Sequence, residues 1–304
     1  MKRVLVWTGL ATVAAISGGC TPHVSTKHTV PAASKPVAQD ATKDELLAKY
    51  NDFAENVKTI NATVELKPTA GSKYSGVIEE YHEVKAFLLA KRPADIRMIG
   101  QAPVIGKTVF DMTSDEHEFR VWIPSKNKFL TGKTGVEKSS SKPLENLRPQ
   151  HLLDALLWPE IQKEEPVLFE EFNDENGRYY VMTVLRGGYR MEILRKIWVD
   201  RSDLNISRLD TYGPGGVLIS DVQFSNWQPL VAEEGTAGST KDFPRSIRIV
   251  RPHDDYQLNM EFTKLAVNGD IPPDRFVLQQ PPNSELVRVG DETQVKPADG
   301  DAKP

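Results

Sequence analysis

Cysteine is almost absent from this chain of 304 residues, which contains a single one, Cys20. One thiol cannot form an intramolecular disulfide, so no internal cross-link stabilises the fold. This lack does not argue against a folded, exported protein, because a chain of this size buries enough apolar surface without disulfides. It does raise the question of why the only cysteine lies so close to the N-terminus.

The motifs of common catalytic and nucleotide-binding classes are also missing. The sequence has no Gly-x-Ser-x-Gly nucleophile elbow, Walker loop or dinucleotide-binding glycine pattern. Its histidines show no His-x-x-x-His spacing, and we expect a solvated turn at His253-Asp254-Asp255, the one local group of histidine and carboxylates. Adjacent glutamates such as Glu170-Glu171 point to opposite faces of a strand, which makes them poor acid–base pairs. We therefore predict a protein that is not an enzyme and has no cofactor or metal site.

An excess of positive charge is lacking as well. The chain has 38 Lys and Arg against 42 Asp and Glu, for a formal charge of −4. Loss of two positive charges, Lys2 and Arg3, with the N-terminal segment takes this charge to −6. An acidic chain without a basic cluster is a poor binder of nucleic acid, and we expect no nucleic-acid partner.

The N-terminus has the three parts of a secretory signal peptide, which we assign to residues 1–19. Lys2 and Arg3 are followed by a largely apolar run over residues 4–16 and by small residues at 17–19. The run is short of the roughly 20 apolar residues that span a bilayer, so a membrane-spanning helix is the weaker interpretation.

Small residues followed by cysteine resemble the lipobox of bacterial lipoproteins. The resemblance implies that Cys20 becomes the mature N-terminus, bound to diacylglycerol through a thioether and further acylated. Ser17 stands where the family usually has leucine, with Ile16 one step earlier. The absence of aspartate at Thr21 implies, by analogy with Gram-negative sorting, an outer-membrane anchor facing the periplasm. The alternative is a cleaved signal peptide and an incidental free cysteine.

Two stretches have the composition of unfolded segments. Residues 20–41 are polar and contain Pro22, Pro31 and Pro36, and we predict a flexible tether there, after the lipidated cysteine. Residues 289–304 are polar and rich in charge, and we predict a disordered tail. The folded body is then expected over residues 42–288.

Two helices are predicted within the body. Thr42-Lys43-Asp44-Glu45 is a capping box, and the apolar residues after it recur at helical spacing to about residue 56. A second helix is predicted from Pro149 to Trp158. Its apolar stripe is expected to plug the interior of the fold, although Trp158 could instead touch a membrane. The stripe residues are Leu152, Leu153, Leu156, Leu157 and Trp158.

Most of the remaining body alternates apolar and polar residues with a period of two. Residues 256–263 are a clear example, which predicts an antiparallel strand with one solvated face. The fold class predicted is mainly β (α+β), with a curled antiparallel sheet or half-barrel of about 11–13 strands and two or three helices over its concave face. Strand runs are expected at 59–67, 76–90, 94–100, 107–113, 118–123, 127–131, 166–173, 178–186, 190–199, 204–212, 217–226, 244–251 and 256–263.

The order of strands and turns resembles the LolA/LolB-like lipoprotein-carrier superfamily. The resemblance is carried by residues 92–132, RPADIRMIGQAPVIGKTVFDMTSDEHEFRVWIPSKNKFLTG, and by 197–224, IWVDRSDLNISRLDTYGPGGVLISDVQF. The helix at 43–56 and the strand at 59–67 follow the same plan, so the likeness covers about 43–285. It implies a half-barrel closed by helices around an apolar hollow that takes the acyl chains of lipids or lipoproteins.

Candidate lining residues come from strands with inward apolar positions, although such residues can equally form a solid core. The sequence favours a lipid-anchored envelope protein that shelters acyl chains in transport or lipoprotein sorting. The alternative is a structural or assembly subunit with a filled core that binds envelope proteins. The candidates are Phe119, Val121, Met182, Val184, Ile193 and Ile197.

Overall fold

The computed structural model describes residues 36–72, 77–135, 148–175, 177–188, 190–230 and 242–289. Cys20, the predicted signal peptide, most of the predicted tether and nearly all of the predicted tail lie outside these ranges. From Val37 onward the described residues form one compact body.

The body is built on one sheet of 15 strands. The strands are β1 (Thr59–Ser72), β2 (Val77–Glu80), β3 (Val84–Lys91), β4 (Asp95–Gln101), β5 (Thr108–Ser114), β6 (Glu118–Ile123), β7 (Lys128–Lys133), β8 (Val167–Asn173), β9 (Arg178–Arg186), β10 (Glu192–Asp200), β11 (Ile206–Tyr212), β12 (Leu218–Pro229), β13 (Asp242–Arg251), β14 (Tyr256–Val267) and β15 (Glu285–Arg288).

Strands adjacent in sequence mostly pair in space. The order across the sheet is β15-β7-β6-β5-β4-β3-β1-β14-β13-β12-β11-β10-β9-β8, with β2 paired to β1. Every pair is antiparallel except β15 with β7, and β1 joins the two halves by pairing with both β3 and β14. The predicted mainly-β curled sheet is confirmed.

The number of strands exceeds the predicted range of about 11–13. The run predicted at 76–90 divides into β2 and β3, because residues 81–83 leave the ladder between them. The other addition, β15, has only four residues and no alternation of apolar and polar side chains, so no periodicity marks it in the sequence.

The first helix, α1 (Lys43–Asn56), begins as its capping box predicts. The Glu45 amide donates to Thr42 Oγ1 at 3.3 Å, and the Thr42 amide donates to Glu45 Oε2 at 2.8 Å. These bonds satisfy two amides that the first turn otherwise leaves without partners.

The second helix, α2 (Pro149–Leu156), is eight residues long and starts with Pro149 at its first position. It ends two residues before the predicted end at Trp158, because Leu157 leaves helical geometry. Among the described residues the other helical turns are short 3-10 segments, such as Pro273–Phe276. Neither α1 nor α2 is long and apolar enough to cross a bilayer.

Both helices contribute to one hydrophobic core on the inner face of the sheet. Alternate residues of the central strands point into this core, which extends from β6 and β7 to β9 and β10. Its fully buried strand residues include Ile60, Val64, Ala86, Leu88, Ile96, Met98, Met182, Val184, Ile197, Ile249 and Met260.

The folded body begins slightly before the predicted boundary at residue 42. The Gln39 amide donates to the Arg201 carbonyl at 2.7 Å, and Asp40 forms an ion pair of 2.8 Å with the Arg201 guanidinium. Arg201 is buried, so the carboxylate supplies part of the compensation that its charge requires. Gln39 and Asp40 therefore belong to the folded body.

A single arginine connects both helices to the sheet. Arg92, in the turn between β3 and β4, donates to the Val57 carbonyl at the end of α1 at 2.9 Å. It also donates to the carbonyls of Leu157 and Trp158, just after α2, at 3.1 and 3.0 Å. The fork of the guanidinium reaches three carbonyls that have no partner within their helices.

We expect Arg92→Met to lower the free energy of unfolding by about 2–3 kcal/mol, because it removes three charge-assisted hydrogen bonds. Urea unfolding measures the loss as a shifted midpoint with an unchanged slope. Arg186 is exposed, so Arg186→Met is the matched control and should change the free energy of unfolding by less than about 0.5 kcal/mol. Equal effects of the two variants would contradict a connecting role for Arg92.

Candidate ligand-binding cleft

An aromatic cluster joins α1, the segment after α2 and the sheet. The Trp158 ring stacks on Phe53 with 3.9 Å between centroids, and Tyr50 lies 5.8 Å away on the same helix. Phe224 of β12 meets the indole edge-on at 5.6 Å. Trp158 is almost fully buried, which rules out the alternative in which it touches a membrane.

The chain after α2 is fastened to α1 by polar contacts. The Tyr50 hydroxyl donates to the Pro159 carbonyl at 2.9 Å. Asn51 bonds Ile161 twice, since its Nδ2 donates to the carbonyl at 3.0 Å and its Oδ1 accepts from the amide at 2.9 Å. Helix α1 and residues 157–161 therefore form one cover over the inner face.

The cover is also fastened to the sheet, on the side of β10. The buried Arg195 of that strand forms an ion pair of 3.0 Å with Glu165 and donates to the Pro159 carbonyl at 3.2 Å. A buried guanidinium requires such partners, because removing its hydration without them is costly. Glu165 thus serves as a structural carboxylate.

A cavity of about 260 Å³ remains between α1 and strands β9–β12, and we call it the α1 cleft. Most of its wall is apolar, whereas its polar residues include Lys49, Asp52, Asn205 and Asp242. The lining residues are Leu46, Lys49, Tyr50, Asp52, Phe53, Trp158, Met182, Val199, Leu204, Asn205, Ile206, Trp227 and Asp242.

Lys49 bridges α1 to the turn before β11. Its ammonium donates to the Leu204 carbonyl at 2.7 Å and to Asn205 Oδ1 at 3.0 Å. Partial burial lowers the pKa of Lys49, and the negative charges of Asp203 and Asp242 oppose that shift. The cleft thus combines an apolar wall with a cationic group held by neutral oxygens.

The predicted lining residues are dispersed across the sheet. Of the six, Met182 lines the α1 cleft. Phe119 and Val121 lie in the core on β6, at a distance in the strand order from β9 and β10. Val184 and Ile197 are fully buried core residues, and Ile193 is half-buried.

The predicted plug residues lie together in the core. Leu152, Leu153 and Leu156 of α2, with Leu157 and Trp158 after it, are all buried. Trp158 also lines the α1 cleft, whereas the leucines do not. Lys49 and Trp227 belong to no sequence motif, so their positions in the cleft could not be predicted.

A separate buried polar group lies where α2 meets the turn between β13 and β14. His151 Nδ1 and the Tyr256 hydroxyl oxygen are 2.9 Å apart. Arg251 forms an ion pair with Asp254 beside them. Burial, together with the positive charges of Arg251 and Arg148, holds the pKa of His151 well below 6.5.

This depressed pKa predicts that acid destabilises the protein. Below about pH 6.5 the unfolded chain binds a proton at His151 that the folded chain does not, so the free energy of unfolding falls as pH falls. The slope contributed by this one group reaches about 1.4 kcal/mol per pH unit. Stability is measured by urea unfolding between pH 7 and pH 5, and His151→Asn should reduce the slope. A slope that is unchanged in the variant would contradict the assignment.

The turn at His253-Asp254-Asp255 is less solvated than expected. His253 is exposed, but Asp254 is buried because it pairs with Arg251. In the described ranges no group of three or more His, Cys, Asp or Glu side chains is placed to hold a metal ion.

No family model and no curated protein matches this sequence. Solved structures do match it in fold. One is a LolA superfamily protein from Nitrosomonas europaea, with 12% identity over 79% of this chain and 99% of that chain and a TM-score of 0.46. Another is a DUF1329 family protein from Desulfovibrio piger, with 14% identity over 79% and 98% and a TM-score of 0.49.

A third is a domain described as an outer membrane lipoprotein-sorting protein, from Vibrio parahaemolyticus. It is 10% identical over 76% of this chain and 94% of that chain, with a TM-score of 0.43. At these identities and TM-scores the likeness carries no argument about function. The curled antiparallel sheet with helices on its inner face, which the resemblance noted in the sequence implied, is confirmed.

Proposed function

We propose that this chain is a lipid-anchored protein of the bacterial cell envelope that binds acyl chains of lipids or lipoproteins in the α1 cleft, without catalysis. The observation that carries the proposal is the cleft itself, with its apolar wall and its charged residues. This combination suits an amphiphile, whose tail gains by leaving water and whose head remains hydrated or paired.

The tail would lie between α1 and the sheet. Trp227 is half-buried and offers a flat apolar surface there. Phe53, Trp158 and Met182 are buried around the cleft, and movement of α1 would expose them to the chain. An anionic or polar head would lie near Lys49, whose ammonium is held by neutral oxygens and gains a charged partner on binding.

The size of the cleft sets a condition on binding. At about 260 Å³ it is slightly below the roughly 300–1,000 Å³ of typical small-molecule sites. A long acyl chain therefore requires α1 to move away from β10–β12. The polar contacts that oppose this movement include the Lys49 bridge and the partly exposed Asn51–Ile161 bonds. The Arg92 bond to the Val57 carbonyl and the packing of Phe53 on Trp158 oppose it as well, so the movement costs part of the binding free energy.

Chain length is the direct test of this function. Each buried methylene contributes about 0.8 kcal/mol, so affinity for saturated fatty acids should rise about fourfold per methylene from about 8 carbons, until the cleft is full. Isothermal titration on the chain exported without its anchor measures this series. Binding that is absent, or independent of chain length, would contradict the proposal.

Filling the cleft should remove binding without unfolding the protein. Met182→Phe enlarges a side chain that lines the cleft and is itself fully buried, so we expect it to weaken fatty-acid binding by about tenfold and to lower the free energy of unfolding by about 1–3 kcal/mol. The control is Met112→Phe, since Met112 is buried on β5 and does not line the cleft. The control should destabilise the fold by about 1–3 kcal/mol and leave binding unchanged.

The proposed location follows from the N-terminus. Acylated Cys20 would hold the body at the outer membrane, facing the periplasm, with the tether separating the two. The second candidate, a subunit that binds envelope proteins, is favoured by a different observation. The inner face is largely filled, and one edge of the sheet pairs with no other strand of the described residues.

A further inference from the structure

The strand β8 ends the sheet on one side. It pairs with β9, and no other strand of the described ranges pairs with its opposite edge. The strand at the other end of the sheet, β15, is only four residues long, whereas β8 has seven. A strand of this length with a free edge is a template for another strand.

Two backbone bonds fix which groups of β8 are free. The Asp174 amide donates to the Gly177 carbonyl at 3.0 Å, and the Leu185 amide donates to the Pro166 carbonyl at 2.9 Å. Bonded residues alternate in an antiparallel pair, so residues 168, 170 and 172 face β9 with their backbone groups. The backbone groups of Val167, Phe169, Glu171 and Asn173 therefore point away from the sheet.

Side chains on both faces hold β8 in place. On the inner face Phe169 stacks against Tyr180 at 5.2 Å, and Glu171 forms an ion pair of 2.8 Å with Arg201. On the outer face Phe172 meets the Trp198 ring edge-on at 5.2 Å. A strand fixed in this way loses little conformational freedom on binding, which favours addition of a further strand.

The charge of the edge selects its occupant. Glu170 is exposed on the outer face between Leu168 and Phe172, whose exposed fractions are 60% and 41%. Glu171 is adjacent on the other face. A second copy of this chain is a poor occupant, because antiparallel pairing of two β8 strands brings the exposed Glu170 carboxylates of both copies onto one face of a short ladder. A strand with basic residues is the complementary one.

We propose that the free edge of β8 binds an extended, basic peptide segment of a partner protein as an added antiparallel strand. Backbone bonds form with Val167, Phe169, Glu171 and Asn173. A lysine or arginine of the partner lies opposite Glu170, and its apolar residues lie beside Leu168 and Phe172. This site is separate from the α1 cleft, so it does not depend on acyl binding.

The test uses the mature chain in detergent and two synthetic peptides, one alternating valine and lysine and one alternating valine and glutamate. The wild type should bind the lysine peptide and not the glutamate peptide. Glu170→Lys should weaken binding of the lysine peptide by about tenfold or more, because an attraction becomes a repulsion. Glu65→Lys is the control, since Glu65 is exposed on β1 between two paired strands, and it should bind as the wild type does.

Hydrogen exchange locates the contact. The lysine peptide should slow exchange of the Phe169, Glu171 and Asn173 amides. If Glu170→Lys and Glu65→Lys bound the lysine peptide equally well, the proposal would be overturned. Slowed exchange at amides outside β8, with none at Phe169, Glu171 and Asn173, would also overturn it. Slow exchange of the same three amides even in the free protein would mean that another part of the chain or a second copy already covers the edge of β8, and that result would overturn the proposal too.

Discussion

Trp158→Ala should lower the free energy of unfolding by about 3–5 kcal/mol, the usual loss for deleting a buried aromatic side chain. The indole is nearly inaccessible and contacts Phe53, Tyr50 and Phe224 from three elements. Because small domains have about 5–15 kcal/mol of stability in total, this loss leaves the cover over the sheet barely folded. Thermal and urea unfolding measure it.

Two matched variants distinguish packing from a general effect of losing tryptophan. Trp158→Phe keeps a ring against Phe53 and removes the buried indole Nε1, for which the described residues supply no hydrogen-bond partner. The free energy of unfolding should therefore fall much less than in Trp158→Ala. Trp122→Ala removes a half-buried indole on β6 and should also have a smaller effect. A loss in Trp122→Ala equal to that in Trp158→Ala would contradict the central position of Trp158.

Cys20→Ala should abolish attachment of lipid completely, because the chain has no other thiol. The expected result is loss of radiolabelled palmitate and of the mass that acylation adds. Replacing residues 1–20 by a signal peptide that is fully removed should release the body from the membrane fraction. Each acyl methylene that enters the bilayer contributes about 0.8 kcal/mol of binding free energy, and two or more acyl chains give a stable anchor.

Radiolabelled palmitate on the Cys20→Ala variant, or no palmitate on the wild type, would contradict the proposed lipid anchor.

Residue 21, next to the cysteine, tests which membrane the protein is sorted to. With Thr21 the protein should fractionate with the outer membrane, and Thr21→Asp should shift it to the inner membrane. An unlabelled wild type free in the periplasm would support the alternative of an incidental cysteine.

The helices and most strands could be predicted because their determinants are local. The capping box at Thr42 and Glu45 starts α1 where expected, and Pro149 starts α2. The alternation at 256–263 correctly predicts β14, with Tyr256, Leu258, Met260 and Phe262 all buried. Local periodicity cannot reveal β15, since that strand exists only by pairing with β7.

The α1 cleft was less predictable than the helices and strands, because its position depends on which part of the sheet α1 leaves uncovered. Periodicity identifies the inner face of β9 and β10, which is why Met182 and Ile197 were both candidates. Only the packing of α1 determines that Met182 reaches the α1 cleft and Ile197 does not. The contacts of Arg92 and Arg195 likewise join residues far apart in sequence, so no short motif marks them.

Because the interior of the sheet is largely filled, the proposed binding of a long acyl chain requires a conformational change. A half-barrel with a permanent hollow would admit an acyl chain without rearrangement. Here α1, α2 and the residues after them occupy most of the inner face, and the α1 cleft is what remains. Binding of a long chain then requires movement of α1, and the free energy of that movement lowers the affinity.

The central claim, that an acyl chain binds between α1 and strands β9–β12, is tested most directly by photo-crosslinking. A palmitate analogue with a diazirine on its chain is irradiated with the anchor-free protein, and the adducts are located by mass spectrometry. The account predicts adducts at residues of the α1 cleft, such as Phe53, Met182 and Val199, and their loss in Met182→Phe. Adducts confined to the outer face of the sheet, or equal labelling of the variant, would contradict it.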